Sequence, residues 1–153
     1  MTIIVTGGAG FIGSNFVFTR GAITGLYKKE EGKYLPDDFM HEQSLVFEEE
    51  KGLVICNSCS HAGMDQIVKE VMEVFPGKKI LAVAGGFHLK AKNSMDAMAY
   101  PQEEVERLGR ELVNLGVEHV YTGHCTGNKA FQVLKTVLGE RLHSLDTGNI
   151  IFI

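Results

Sequence analysis

The chain has 153 residues, 44% of them hydrophobic and 22% charged, with 18 Gly and 3 Pro. That is material for one compact domain rather than two. Fifteen basic against nineteen acidic residues leave a formal net charge of -4, which argues against an electrostatic grip on nucleic acid or an anionic membrane. No run approaches the roughly 20 apolar residues of a bilayer span, and the opening MTIIVTGGAG lacks the basic start of a secretory signal. The three cysteines, Cys56, Cys59 and Cys125, are an odd number in a chain too large to need staples. A reducing, cytoplasmic setting is expected.

In chain order, Ile3 to Val5 reads as a short strand running into Gly7-Gly8-Ala9-Gly10. Phe16 to Thr19 and Ser44 to Phe47 have strand composition, with Lys28 to Asp38 a polar loop between them. Leu53 to Cys56 is a short apolar strand. Met64 to Phe75 predicts a helix, because Met64, Ile67, Val68, Val71, Met72 and Phe75 fall on one stripe before Pro76-Gly77. Lys79 to Ala84 is a β-rich run broken by Gly85-Gly86. Gln102 to Leu115 is a second helix, with Glu103/Arg107 and Glu106/Arg110 spaced to pair at i,i+4 on its polar side. Gly116 stops it. Val117 to Thr122 is a strand, Asn128 to Leu138 a third helix ended by Gly139, and Asn149 to Ile153 a closing strand. Strands alternating with amphipathic helices predict an α/β layered domain with one sheet face covered. The other face then needs a partner.

Two motifs point toward chemistry. Gly8-x-Gly10-x-x-Gly13 follows a strand, as a dinucleotide-binding turn requires. Its glycines would let a pyrophosphate approach a helix N-terminus closely. The rest of that apparatus is missing: no second strand ends in an acidic residue at the right distance. None of the four tyrosines is followed four positions later by lysine.

The second motif recurs three times: a strand followed by a histidine-bearing turn. The turns are Cys56-Asn57-Ser58-Cys59-Ser60-His61-Ala62-Gly63, Gly85-Gly86-Phe87-His88-Leu89 and Thr122-Gly123-His124-Cys125-Thr126-Gly127. If these strands share a sheet, their histidines emerge at one rim, where open α/β sheets place ligands. Imidazole is the commonest ligand for zinc and its first-row neighbours. His61 and His124 are therefore the expected metal ligands, with Thr126 a candidate substrate contact and His88 a ligand-sphere residue, a substrate contact or a structural residue. The turns of His61 and His124 each lead into a helix, where backbone N–H groups favour an anion. Cys59 and Cys125, beside these histidines, are alternative donors. Cys56-x-x-Cys59 has the spacing of a redox or zinc-knuckle pair, without a second such pair to complete it. Asp37 and Asp38 read as loop charges, and His41, His119 and His143 as surface or packed residues.

Two resemblances attach to these motifs. TIIVTGGAGFIGSNFV resembles the start of extended short-chain dehydrogenases such as nucleotide-sugar dehydratases, and implies an NAD(P)-binding fragment using Gly8, Gly10 and Gly13. DDFMHEQSLVF, KGLVICNSCSHAGMDQIV, AVAGGFHL and VEHVYTGHCTGNKAF with the final TGNIIFI resemble the carboxy-terminal half of a metallo-β-lactamase-fold hydrolase. The branch is the dihydropterin ribofuranosyl-aminobenzene phosphate synthase-like one. The two divide the chain into a glycine-rich leader, 1–15, and a half-domain, 16–153.

The second resemblance implies half of an αββα sandwich, a mixed sheet with helices on one face. It gives His61 and His124 as ligands of a dinuclear centre holding zinc, manganese or iron, and metal-dependent hydrolysis of an ester or phosphate-bearing substrate. The family's His-x-His-x-Asp-His string does not occur in this chain, so a truncated metal centre is expected. Exposing several hundred Å2 of apolar sheet at about 25 cal/mol per Å2 would cost many kcal/mol. A homodimer through that face is the expected remedy, with residues 1–40 folding back over it as the rival. A non-catalytic remnant or chimera that mainly self-assembles is the alternative function.

Overall fold

A computed structural model of the chain describes residues 27–37, 39, 42–92, 94 and 96–153. The expected strands Ile3 to Val5 and Phe16 to Thr19, and the Gly8, Gly10 and Gly13 motif, lie outside the described residues. So do Asp38 and His41.

Where a polar loop is expected, the chain forms a hairpin, β1 (Tyr27–Glu30) against β2 (Lys33–Pro36), antiparallel with Glu30 opposite Lys33. The two residues between them, Glu31 and Gly32, both have positive φ (48° and 81°), the backbone of a tight hairpin turn. Nearly every residue of the hairpin is exposed, so its strands carry no apolar alternation to read.

The remaining strands are β3 (Ser44–Glu49), β4 (Gly52–Cys59), β5 (Ile80–Gly86), β6 (His119–Thr122) and β7 (Leu142–Ser144). They form one sheet in the order β3-β4-β5-β6-β7. β3 and β4 are an antiparallel hairpin, and every later pairing is parallel. The crossovers carry α1 (Met64–Val74), α2 (Gln102–Asn114) and α3 (Asn128–Leu138). The closing strand is Leu142–Ser144, which pairs with β6, and not the expected Asn149 to Ile153. That apolar tail finds no strand to pair with among the described residues: Ile150, Phe152 and Ile153 are 80%, 90% and 53% exposed. Apolar composition alone does not make a strand without a neighbour offering N–H and C=O groups.

Register places one row of side chains, Val46, Ile55, Val83, Val120 and Leu142, on the same sheet face. All five belong to the core cluster with Ile67, Val68 and Val71 of α1, Leu108 and Leu112 of α2, and Leu134 and Leu138 of α3. The helical stripes read from the sequence are the stripes buried here. The opposite face carries Leu45 and Phe47, Val54 and Cys56, Ala82 and Ala84, His119 and Tyr121, and His143. Leu45, Phe47, Val54, Cys56 and Tyr121 are half-buried. This is the α/β architecture expected, a mixed sheet with helices packed on one face.

One surface expectation changes. Arg110 pairs with Glu106 at 3.3 Å, as i,i+4 spacing predicts, but Arg107 reaches Glu104 at 2.9 Å and crosses to Asp65 of α1 at 3.2 Å. Asp65 is 4% exposed in the first turn of its helix, so the guanidinium compensates a buried carboxylate instead of decorating a solvated face. No helix among the described residues is long and apolar enough to cross a membrane.

Candidate metal centre

Because β4, β5 and β6 are adjacent and parallel, their carboxyl ends lie along one rim, and each is followed at once by a histidine-bearing turn. Ser60 ties the first two turns together: its N–H and its hydroxyl both donate to the Gly86 carbonyl at 2.8 Å. The third turn is bolted to the second. Leu89 and Lys90 donate to the Cys125 carbonyl at 3.0 Å, and Phe87 N–H donates to Thr126 Oγ1 at 3.0 Å.

Gly85 and Gly86 make this closeness possible. A Cβ on Gly85 would run into the Asn57 carbonyl, and one on Gly86 into the Cys125 sulfur. The Gly-Gly break in the β-rich run is thus a requirement of close approach on both sides of β5.

Cys59, His61 and His88 present one donor atom each, all within 4.8 Å of one another. Cys59 Sγ is 3.3 Å from His88 Nδ1 and 3.0 Å from Cys125 Sγ. The His61 and His88 rings stand 4.5 Å apart between centroids. Phe39 stacks on His61, 4.5 Å away and inclined by 15°. Glu42 holds the turn beneath it, accepting from His61 N–H at 2.7 Å and Ala62 N–H at 2.8 Å, with Oε1 3.6 Å from His61 Nδ1. His88 and His124 both adopt positive φ, 51° and 48°. Such a backbone costs on the order of 1–3 kcal/mol and persists only where its surroundings impose it. Here two of the three rim histidines carry that strain.

Electrostatics of the thiols follow from their contact. The hydrogen bond from Cys59 draws Cys125 down to about 6, while the same bond, with burial, pushes Cys59 well up. Burial, and then the neighbouring His61, lower His88 and keep its imidazole neutral and able to donate a lone pair.

Of the residues expected from the sequence, His61 and His88 enter this cluster together. His124 stands one strand over, at the start of the 3-10 turn His124–Thr126. It lines a separate cavity of about 290 Å3 with Thr122, Asn128, Phe131 and Asp146. Thr126 is fully buried; its hydroxyl contacts Thr122 Oγ1 at 2.5 Å besides accepting from Phe87. A second cavity, about 210 Å3, opens beside His61 and is lined by Phe87, Tyr100, Gln66 and Arg107 among others. The amino end of α1, where an anion was expected, is met by the chain's own Asp65.

The Cys56-x-x-Cys59 spacing proves misleading. Cys56 lies on the sheet face opposite the helices, next to Leu45 and Ala84, and the sulfur beside Cys59 is that of Cys125, 66 positions away. Glu42 and Phe39 were not singled out as site residues. They sit in the DDFMHEQSLVF stretch that carries the family resemblance, and nothing in residue type or spacing marks a lone glutamate as the brace of a turn 19 positions on.

The α/β sheet with its helices defines the class. It superposes on a crystal structure described as a metal-dependent hydrolase of the β-lactamase superfamily, with a TM-score of 0.75 and 28% identity. The match covers 91% of this chain and 53% of that one, so this α/β fold is similar to about half of that structure.

In sequence the chain is a homologue of 7,8-dihydropterin-6-methyl-4-(beta-D-ribofuranosyl)-aminobenzene-5'-phosphate synthase of Methanocaldococcus jannaschii. The two are 37% identical over 134 residues, which is 88% of this chain and 43% of the relative. The chain thus spans about half the length, or less, of the proteins it matches. No family model matches it. The resemblance of the first residues to a dehydrogenase finds no support in these comparisons.

Proposed function

We propose that this chain carries a divalent-metal centre on the β4–β5–β6 rim and serves metal-dependent hydrolysis of an ester or phosphate-bearing substrate. The observation that carries the reading is the convergence of Cys59, His61 and His88 within 4.8 Å, on a fold shared with a metal-dependent hydrolase. Thiolate and imidazole donors suit zinc, and three protein ligands with an open fourth position is the pattern of catalytic zinc. His61 belongs to this set, and His124, on the neighbouring turn, supplies a ligand to the second ion of a dinuclear centre. When bound, the metal supplies a water whose pKa falls toward about 7, a nucleophile at neutral pH.

The chain's own residues do the rest. Glu42 and Phe39 fix His61, the strained turns fix His88 and His124, and the cavity between Phe87, Tyr100 and Arg107 receives the substrate. A phosphate-bearing substrate accords with the 5'-phosphate in the relative's name. The partner in this reading is a second copy, paired through the half-buried apolar face of Leu45, Phe47 and Val54.

One purified sample tests both parts. Stoichiometric zinc, manganese or iron, lost in His61→Ala with the fold retained, supports the centre; a metal-free, fully folded protein refutes it. A solution mass of two chains at micromolar concentration supports the pairing, and a well-folded monomer refutes it.

A further inference from the structure

The geometry points to a redox modification site: Cys59 and Cys125 form a reversible disulfide that takes the Cys59 sulfur out of the metal donor set. The inference rests on the metal reading above and goes beyond it, because metal and disulfide then exclude one another.

The two sulfurs already lie against each other. Cys59 and Cys125 are free thiols whose Sγ atoms stand 3.0 Å apart, so a covalent bond asks them to close by only about 1 Å. The sheet makes this contact. Cys59 ends β4, its neighbour across the ladder is Gly86 of β5, and the Cys125 sulfur fills the space where Gly86 has no side chain. Cys125 is also held from behind. Leu89 and Lys90 N–H both donate to its carbonyl at 3.0 Å, and Thr126, next in the chain, accepts from Phe87 N–H. Cys56, the partner that the C-x-x-C spacing suggests, pairs with Leu45 and Ala84 on the opposite sheet face and takes no part.

The consequence for the metal follows from the donor set. Cys59, His61 and His88 lie within 4.8 Å of one another, and Cys125 is outside that set. Joining Cys125 to Cys59 therefore removes one donor and adds none. Two imidazoles remain, fewer than the three protein ligands that catalytic zinc takes. Conversely, an ion on Cys59 occupies the sulfur that has to react.

Access sets the order of the chemistry. Cys59 is half-buried, whereas Cys125 is 5% exposed, so a small-molecule disulfide such as oxidised glutathione meets Cys59 first. The Cys59 thiolate attacks one sulfur of that disulfide, forming a mixed disulfide and releasing one small thiolate. The Cys125 thiolate then attacks Cys59 Sγ, which forms the internal bond and expels the second small thiolate. The two protein thiols give up two electrons and two protons, and the small disulfide becomes two thiols. A dithiol reductant reverses both steps.

The test equilibrates the metal-free full chain with oxidised and reduced glutathione, alkylates the remaining thiols and maps the peptides by mass. Free thiols are expected to fall from three to one, with Cys56 alkylated and the Cys59 and Cys125 peptides linked. Zinc affinity of the oxidised chain should fall by at least the roughly tenfold that losing even an outer support of a ligand costs, and return on reduction. Zinc added first should slow the linkage. Reduced Cys125→Ser, its fold checked by circular dichroism, should bind zinc like the parent and stop at a glutathione adduct on Cys59. If that variant does not fold, the parent's peptide map and zinc affinities decide. Three thiols persisting in the oxidising buffer, a link that includes Cys56, or an oxidised chain that binds zinc as tightly as the reduced one overturns this inference while leaving the rim's metal in place. A reduced chain that binds no zinc overturns the metal reading itself, and the exclusion with it.

Discussion

Glu42 offers the sharpest test of how the rim is built. Its carboxylate, on a residue 7% exposed, accepts the N–H of His61 at 2.7 Å and of Ala62 at 2.8 Å. Both are short charge-assisted bonds, each worth about 1.5–3 kcal/mol. Glu42→Ala removes both carboxylate acceptors; the Ala62 N–H loses its partner, while the His61 N–H keeps its 3.0 Å bond to the Cys59 carbonyl. The expected loss is about 2–4 kcal/mol, a large part of the roughly 5–15 kcal/mol a domain commands. Glu42→Gln keeps one carbonyl acceptor without the charge and should lose about half as much. Urea denaturation followed by circular dichroism measures this, the midpoint shifting at constant slope if the folded state alone is affected. Zinc affinity in the same variants should fall about 10–100-fold, the usual cost of losing a group that orients a ligand. Two variants as stable as the parent, within about 0.5 kcal/mol, would refute the idea that this carboxylate braces the site.

Two further outcomes follow from the polar contacts. Thr122 spends its proton on the Gly85 carbonyl, so Thr126 donates to Thr122 while accepting from Phe87 N–H. Thr126→Val should therefore cost about 1–3 kcal/mol by chemical denaturation, and Thr126→Ser distinctly less. His143, stacked on Tyr121 and 3.3 Å from His119, is held below its ordinary pKa by burial and then by His119 and Lys135. Its neutral form is favoured when folded, so the unfolded chain takes the proton first. Stability should be full above about pH 6.5 and decline as pH falls below it, and His143→Gln should flatten part of that slope in denaturation curves measured across the range. His88, shifted in the same direction, leaves a residual slope in the variant. A stability that rises as pH falls would contradict both shifts.

What could be read before folding was what rests on short-range regularity. The stripe of Ile67, Val68 and Val71 and that of Leu108 and Leu112 are helical because side chains three and four apart share a face, and both stripes are buried here. That His61, His88 and His124 emerge on one rim was legible for the same kind of reason, since strands of one sheet deliver their ends together. The expected pairing of His61 with His124 was not what the structure brings together, for His61 meets His88 and Cys59 while His124 lines a separate cavity. The hairpin at Tyr27–Pro36 was illegible because it is exposed on both sides and carries no alternation. The tail at Ile150 to Ile153 misled because apolar character says nothing about whether a pairing strand is present.

The chain of amino acids by itself determined the alternation of strands and helices, the apolar faces they bury and the three histidine turns, since these depend on neighbours within about one helical turn. Tertiary structure alone decided which sulfur meets which. Cys59 meets Cys125 rather than Cys56 because it lies at the end of β4, past a register shift that separates it from Cys56, and parallel strands bring that end within hydrogen-bond distance of a residue 66 positions away. The brace from Glu42 was decided there too, in the packing of a segment before β3 against the turn after β4. Such contacts carry no local signature, because their partners are chosen by the sheet order and not by the spacing along the chain.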